Sequence, residues 1–464
     1  MFVHFNLFKS SKLIILKYYQ QFILLYLQIM SRQALLKGDK KVLNAWAFYD
    51  WANSVYPLVI SSAIFPIYYG ALFLDDLYIE VFGFNFKNTA LISFLTAFAF
   101  VILSFITPLL SGIADYMGNK KMFLKFFCYL GSLSCIGLNW FDLENIYIGL
   151  LFYFIALISF WASLVFYNSY LPDIANKDQQ DYISAKGYAL GYFGSVILLV
   201  FNLSMVMFPD FYGIIGDNPE LIAMRYSFIS VGIWWFLCSQ YTFYYLPNFL
   251  ERRKIVKNII FNGFKELKEV WLELKKIIII KRFLIAFFIY SSALQTVLLI
   301  AAYYGEQEII WPEDEKTMGL IISILLIQLI AIFGAMFTAW LSKKIGNIQT
   351  LIILNFFWAI LCLGAYFIKY PIEFYIAASL VGLVMGGMQA LSRSTFSKMV
   401  PKTENTTSYF SFYDVSQKVS IVFGMTLFAF IDQVTGSMRN SILFFLIMFL
   451  VGALLLKRIN TNNI

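Results

Sequence analysis

Two charged side chains, Asp414 and Lys418, lie four residues apart in a long apolar stretch near the C-terminus. In a helix this spacing places both on one face, with the acid on the N-terminal side. The pair can form a static salt bridge, or Lys418 can meet a substrate carboxylate while Asp414 sets its charge. Asp50 lies in another apolar stretch, where we expect either a structural cap or ion pair, or a gating or proton-binding group.

Further polar residues interrupt the apolar stretches. Such groups often join helices by hydrogen bonds, but in an apolar wall they can also bind a small solute. The candidates for a substrate cavity are Asn53, Tyr56, Tyr188, Gln295, Gln389 and Lys418. The candidates for gating or proton coupling are Asp50, Asp115, Lys186, Arg393 and Asp414. We expect Lys186 and Arg393, at predicted helix ends, to form ion pairs that part when a gate opens.

The composition argues against several enzyme classes. The single histidine, His4, lies near the N-terminus, so the apolar core has none for a zinc site, a Ser-His-Asp triad or a proton relay. The four cysteines fall within apolar stretches and are interpreted as small packing residues. The sequence has no phosphate-binding loop of the GxxxxGK[ST] type, so ATP is not expected to drive a cycle. We predict no catalytic residues, no metal and no cofactor.

Twelve long apolar stretches carry these residues. Of the 464 residues 60% are hydrophobic, and the mean hydropathy is +0.73. A soluble domain cannot bury so much apolar surface, and a helix needs roughly 20 apolar residues to cross a bilayer. The predicted spans are 47–72, 89–111, 122–140, 146–168, 185–208, 226–247, 283–304, 317–340, 349–368, 371–392, 409–431 and 438–456. The predicted fold class is an all-α membrane protein with twelve transmembrane helices.

The charge of the connections alternates along the chain. One set is basic and includes Lys120, Lys121, Lys343, Lys344 and Lys457. The other is acidic and includes Asp142, Glu144, Glu306, Glu308 and Glu315. Because lysine and arginine are retained in the cytoplasm, we expect both termini there, in a multi-pass protein of the bacterial inner membrane. The net charge of +8 then reflects topology and gives no indication of a nucleic acid partner.

Sequence features recur between the two halves at a nearly constant spacing. Gly118-Asn119 recurs as Gly346-Asn347, and Leu171-Pro172 as Val400-Pro401. Two equal membrane-embedded halves are typical of secondary transporters, so we predict two pseudo-symmetric six-helix bundles. The predicted divisions are an N-terminal cytoplasmic or interfacial extension over 1–45, bundles over 46–247 and 283–458, a basic amphipathic cytoplasmic linker over 248–282, and a cytoplasmic tail over 459–464.

The linker has one apolar face. Its apolar residues recur at alternating steps of four and three, as Ile260, Phe264, Leu267, Trp271, Leu274 and Ile278. A basic amphipathic helix of this kind is expected to lie on the cytoplasmic membrane surface. The alternatives are a solvated linker with a stripe of packing residues and, less favoured, a calmodulin-like target helix.

The most distinctive motif is Gly112-Ile-Ala-Asp-Tyr-Met-Gly-Asn-Lys-Lys121, between the second and third spans. Gly112 would permit close helix packing, and Gly118 a tight turn. Asp115 could accept hydrogen bonds from a helix N-terminus of the opposite half and so latch the halves together. The residues of this conformational loop are Gly112, Asp115, Gly118, Lys120 and Lys121. The motif resembles the loop signature of the major facilitator superfamily, in the place where that superfamily has it.

Three further stretches resemble the branch of that superfamily that contains the fungal autophagy-related vacuolar amino-acid effluxer and its bacterial relatives. They are 45–54, then 167–173 leading into 184–191, then 386–394 leading into 412–414. The resemblance covers about residues 40–458. It implies a twelve-helix carrier of the major facilitator fold, and the vacuolar members imply export of amino acids.

These features predict a secondary-active transporter whose two bundles rock about a midplane site. The expected partners are a small amphipathic solute such as a neutral amino acid, protons as the candidate coupling ion, and the lipid bilayer around a monomer. Efflux is favoured by the resemblance. The alternatives are a proton-coupled importer of another small metabolite and a non-transporting membrane receptor with the same fold.

Overall fold

The computed structural model describes residues 37–73, 78–81, 83–248, 258–312 and 315–459. Within these ranges twelve helices are long and apolar enough to cross a membrane, which confirms the predicted number. They are α1 Lys40–Leu72, α2 Asn88–Met117, α3 Lys120–Gly137, α4 Ile146–Asn168, α5 Lys177–Met207, α6 Pro219–Tyr245, α7 Ile278–Glu308, α8 Lys316–Ile345, α9 Asn347–Phe367, α10 Pro371–Met399, α11 Thr406–Thr435 and α12 Met438–Lys457. Most of the predicted extension, to residue 36, and the tail from residue 460 lie outside the described residues.

Smaller elements connect the spans. A linker helix, Ile259–Lys276, lies between α6 and α7. An antiparallel hairpin of β1 Tyr78–Val81 and β2 Phe84–Lys87 lies between α1 and α2, an addition to the predicted all-α chain. Short helical turns cover Leu138–Trp140, Leu171–Ile174 and Pro209–Tyr212.

The first helix is not α-helical throughout. Its middle, Tyr56–Ile64, is wound as a π-helix before regular winding resumes at Phe65. Pro66 has no backbone N–H, so it cannot donate the hydrogen bond that an α-helix would place at this residue. Because the wider π-turn lies just before Pro66, the missing donor interrupts no α-helical hydrogen bond. Sequence periodicity does not reveal such a change, because it assumes a constant number of residues per turn.

Each half of the chain has its own apolar core. One large buried cluster is built almost wholly from α1 to α6, around residues such as Trp46 and Trp235, and another from α7 to α12, around Trp358. In the second half α8 and α10 approach at backbone distance. A Cβ added at Gly386 would lie 2.4 Å from the carbonyl oxygen of Ala331, so only glycine fits there.

The helices end at two opposite faces. We call the face where α1 begins and α12 ends the basic face; it carries Lys120, Lys121, Lys343, Lys344 and Lys457. The opposite face, with Asp142, Glu144 and Glu308, is the acidic face. At the basic face the chain turns between spans through Gly118 and Gly346, whose φ angles are +72° and +89°. These values favour glycine, which explains the recurrence of the Gly-Asn pair in both halves.

Candidate functional site

The two halves meet along a seam in which α2 faces α11, and α5 faces α8 and α10. Hydrogen bonds and ion pairs cross this seam in three layers. The outermost lies at the basic face, the second about two turns deeper, and the third near the middle of the spans.

The outer layer contains the acidic residue of the loop motif. The Asp115 carboxylate accepts hydrogen bonds from the backbone N–H groups of Thr407, at 3.2 Å, and Ser408, at 2.6 Å. Both amides belong to the first turn of α11, where N–H groups lack partners within the helix and the helix dipole favours an anion. Asp115 is buried, at 4% exposure, so this contact is shielded from water.

The lysines of the motif are buried rather than solvated. Lys120 forms an ion pair with Asp173 and donates to the Thr406 hydroxyl of the other half at 3.1 Å. Lys121 donates to the carbonyl of Leu246 at 2.6 Å, within its own half. The positive charges of this loop therefore hold helix ends together.

On the opposite side of the outer layer, a second acidic residue makes contacts across the seam. Asp181, on α5, accepts from the Nζ of Lys398 at 2.5 Å and from the side-chain amide of Asn347 at 2.8 Å. At the repeat positions of Gly112 and Asp115 the second half has Trp340 and Lys343. Both acids of the outer layer, Asp115 and Asp181, therefore belong to the first half, and the second half does not repeat the Asp115 contact.

The middle layer is centred on Arg393 of α10, which is 2% exposed. Its guanidinium donates to the Asp50 carboxylate at 3.0 Å and to the hydroxyl and carbonyl of Ser184, each at 2.9 Å. The side-chain oxygen of Asn168 lies 3.3 Å away. Asp50 also accepts from the hydroxyl of Tyr167 at 2.9 Å. One second-half cation thus meets an acid and polar atoms from α1, α4 and α5.

Three aromatic rings surround the same guanidinium. Its central carbon lies 4.2 Å from the ring centre of Tyr188, 4.8 Å from that of Trp46 and 5.5 Å from that of Tyr167. Each such contact contributes about 0.5–2 kcal/mol, more when it is shielded from water. The sequence identified Asp50, Arg393 and Tyr188 separately, but it gave no indication that they share a site.

The third layer contains the Asp414–Lys418 pair. Lys418 is fully buried, forms an ion pair with Asp414 and lies 3.3 Å from the hydroxyl of Thr107 in the other half. Close by in depth, the hydroxyl of Tyr192 donates to the side-chain oxygen of Gln389 at 2.7 Å across the seam. At mid-span, therefore, one charged group, Lys418, and one uncharged pair, Tyr192 and Gln389, make polar contacts between the halves.

Two predicted site residues lie elsewhere. Tyr56 is 1% exposed and packs against Phe160, with ring centres 5.0 Å apart, inside the core of the first half. Its side chain points into its own bundle, which contradicts the prediction that it lines a cavity between bundles. Among the described residues, Lys186 donates to the side-chain oxygen of Asn44 at 2.7 Å within the first half, and not to an acid across a gate.

The remaining candidates lie near the third layer in depth. Asn53 is 1% exposed, and its side-chain nitrogen has no hydrogen-bond partner among the described residues. A buried donor without a partner is costly, so a ligand or water that accepts from it would be favoured. Gln295 is partly exposed on α7.

Comparison with known proteins places the chain in a family. A family model described as "Vacuole effluxer Atg22 like" matches residues 38–463. An uncharacterised MFS-type transporter of Bacillus subtilis, YxiO, is 30% identical over 424 residues, covering 91% of this chain and 95% of that protein. Autophagy-related protein 22 of Saccharomyces cerevisiae is 25% identical over 400 residues, with 74% of this chain and 72% of that protein covered.

Solved structures give the same fold. The FucP transporter in its outward conformation superposes with a TM-score of 0.66 at 15% identity, over 90% of this chain and 98% of that one. The proton:xylose symporter XylE superposes with a TM-score of 0.65 at 14% identity, over 90% and 95%. With its twelve spans in two halves and the loop motif at the seam, the chain belongs to the Atg22-like vacuole effluxer family, a branch of the major facilitator superfamily of membrane transporters.

Proposed function

We propose that this protein works by alternating access, with the basic face in the cytoplasm and a conformation here that is closed on that side. The enrichment of lysine at this face supports the orientation. We further propose that residues 46–247 and 283–458 move as two bundles joined by 248–282, in a monomer in the bacterial inner membrane. Opening to the cytoplasm would then separate every layer of the seam.

The seam can serve as a gate because water can replace each of its hydrogen bonds and ion pairs when the halves separate. Asp115, Asp181 and Arg393 each bond to the other half, and each is nine-tenths or more buried in this conformation. When the halves part, water can solvate the freed charges, so the desolvation cost of the ion pairs is recovered as their attraction is lost. The two conformations can therefore lie close in free energy, as a carrier requires.

The Asp414–Lys418 pair is the observation that carries the choice of substrate. A buried carboxylate next to a buried ammonium is the complement of a zwitterion, whose own carboxylate and ammonium can exchange partners with them. A neutral amino acid adds no net charge to the middle of the membrane, where an unpaired charge is costly. The name of the family supports export as the direction, and neutral amino acids as the solute class remain our proposal.

Flux of radiolabelled leucine and tyrosine in proteoliposomes tests this function. We expect Lys418→Met to reduce uptake or release at least about a hundredfold, because the substrate carboxylate loses the buried cation proposed to pair with it. The matched control is Arg439→Met, which breaks the Arg439–Glu308 pair at the acidic face, inside one half. Its flux should stay within about threefold of the unmodified protein.

Substrate analogues distinguish a zwitterion site from a general apolar cavity. An amine without the carboxylate and a 2-oxo acid without the amine should each compete at least about tenfold less well than leucine. Flux of another solute, with none for any amino acid, would reject the proposed substrate class. A ligand that binds but never crosses the membrane would instead favour the receptor.

A second proposal concerns the coupling ion. Asp50 and Asp414 are buried carboxylates, and each is paired with one cation, Arg393 and Lys418 respectively. When such a pair separates, a proton could bind the carboxylate in place of the cation. This arrangement supports proton coupling, and it is equally compatible with an importer of another small metabolite that uses the same residues. Uniport is the remaining alternative.

A further inference from the structure

The linker helix contacts the first half at the glycine of the loop motif. A Cβ at Gly112 would lie 2.2 Å from the carbonyl oxygen of Gly263, so the two backbones touch. One residue earlier, the side-chain amide of Asn262 donates to the hydroxyl of Tyr116 at 3.0 Å. The sequence indicated that Gly112 would permit close packing, and the partner is this helix rather than a span.

The same helix contacts the second half. The side-chain amide of Asn405, just before α11, donates to Glu266 at 3.2 Å. The hydroxyl of Tyr409 donates to Glu273 at 3.0 Å. The linker helix therefore lies across α2 and α11, over the same seam in which Asp115 accepts from the start of α11.

Another side of this helix is largely uncovered by the described residues, although the Trp271 ring centre lies 5.3 Å from that of Phe412 in α11. Ile260 is 63% exposed, Phe264 is 60% exposed and Trp271 is 43% exposed, and helical periodicity puts all three on one flank. The exposed lysines Lys268 and Lys275 border this flank, with the Lys275 Nζ 5.0 Å from the ring centre of Trp271. The acids that contact α11 lie on the other flank.

We propose that the linker helix docks this apolar, lysine-bordered flank on an anionic phospholipid surface and thereby holds the seam closed. The helix lies at the ends of the spans, at the depth of the headgroups, and long apolar side chains beneath lysines match an interface of acyl chains and negative headgroups. Because the helix bonds to both α2 and α11, lipid that holds it in place also favours the closed basic face. This role in closure rests on the alternating access proposed above.

Hydrogen–deuterium exchange of the full chain in nanodiscs tests the proposal. The two compositions are phosphatidylcholine alone and phosphatidylcholine with phosphatidylglycerol. Exchange of residues 259–276 reports docking of the helix. Exchange of the Thr407 and Ser408 amides reports closure, because both donate to Asp115 only when the halves meet. We expect phosphatidylglycerol to slow both by about tenfold or more.

Three variants distinguish the contribution of charge to lipid docking from that of apolar contact. Lys268→Gln with Lys275→Gln should abolish the effect of phosphatidylglycerol, as should Phe264→Ser, which keeps every charge. The control, Lys177→Gln with Lys402→Gln, removes two exposed lysines from the same face but outside the linker helix, and should keep the effect.

Equal exchange of 259–276 in the two compositions, or an equal loss in the control, would overturn the proposal. So would a helix that responds to phosphatidylglycerol while the Thr407 and Ser408 amides do not. No substrate is present in these measurements, so a failure of amino-acid flux and a failure of lipid docking can be told apart.

Discussion

At the scale of single residues, Arg393 is held by contacts on several sides. It donates to Asp50 and Ser184 of the other half and lies over three aromatic rings. The glycine beside this site is also required, because a Cβ at Gly187 would lie 2.4 Å from the Asp50 carboxylate. A planar guanidinium suits such a site better than an ammonium, since it can donate in several directions and stack on rings at once.

Removing this cation is expected to destabilise the closed conformation. Arg393→Met leaves the Asp50 carboxylate buried without its cation, at a cost of about 3–5 kcal/mol. Amide exchange of Thr407 and Ser408 should then become at least about a hundredfold faster, since each tenfold corresponds to about 1.4 kcal/mol.

The double variant Arg393→Met with Asp50→Asn should recover most of that protection, because no buried charge is then left unpaired. Arg439→Met serves as the control, since it removes the same charge from a contact inside the second half. A double variant that exchanges as fast as Arg393→Met would contradict the assignment of the effect to the ion pair.

At the scale of elements, close backbone packing joins α8 and α10 of the second half. In α10 both Gly382 and Gly386 contact carbonyl groups of α8, at 2.3 Å and 2.4 Å from the position of an added Cβ. Helices without large side chains between them gain dispersion contacts along their whole length. Under the proposed alternating access, this closely packed pair would carry Arg393, near the end of α10, as part of one moving body.

A larger side chain in this contact should destabilise the protein. Gly386→Val forces α8 and α10 apart at a cost of about 1–3 kcal/mol, which should lower the Tm in detergent by several degrees. The control is Gly364→Val on α9, where an added Cβ meets no atom within 4 Å. An equal loss of Tm in both variants would point to the helix propensity of valine instead of packing.

At the scale of the whole molecule, polar contacts join the halves from the basic face to mid-span. The outermost involve Asp115 and Asp181, and the innermost joins Lys418 to Thr107. These contacts join the two halves at several depths in this conformation. Under the proposed alternating access, a ligand or ion that binds the open conformation more tightly would shift the protein toward it.

The proposed proton coupling would be a property of the whole transport cycle, and an imposed pH gradient tests it. In proteoliposomes Asp50→Asn and Asp414→Asn should each reduce the stimulation of leucine flux by the gradient at least about tenfold, if that carboxylate carries the proton. Flux without a gradient provides the control for folding and binding. Should both variants keep the full stimulation, proton coupling at these sites is wrong and uniport becomes the better description.

Composition and local spacing determined the twelve spans and the repeat of two halves, because burial in a bilayer and tight turns depend on nearby residues alone. Tertiary structure decided which side chains share a site. Asp50 and Arg393 are far apart in the chain, and whether they meet depends on how the two bundles pack. The inward rotation of Tyr56 and the bond of Lys186 to Asn44 follow from the winding and neighbours of each helix, which periodicity cannot specify.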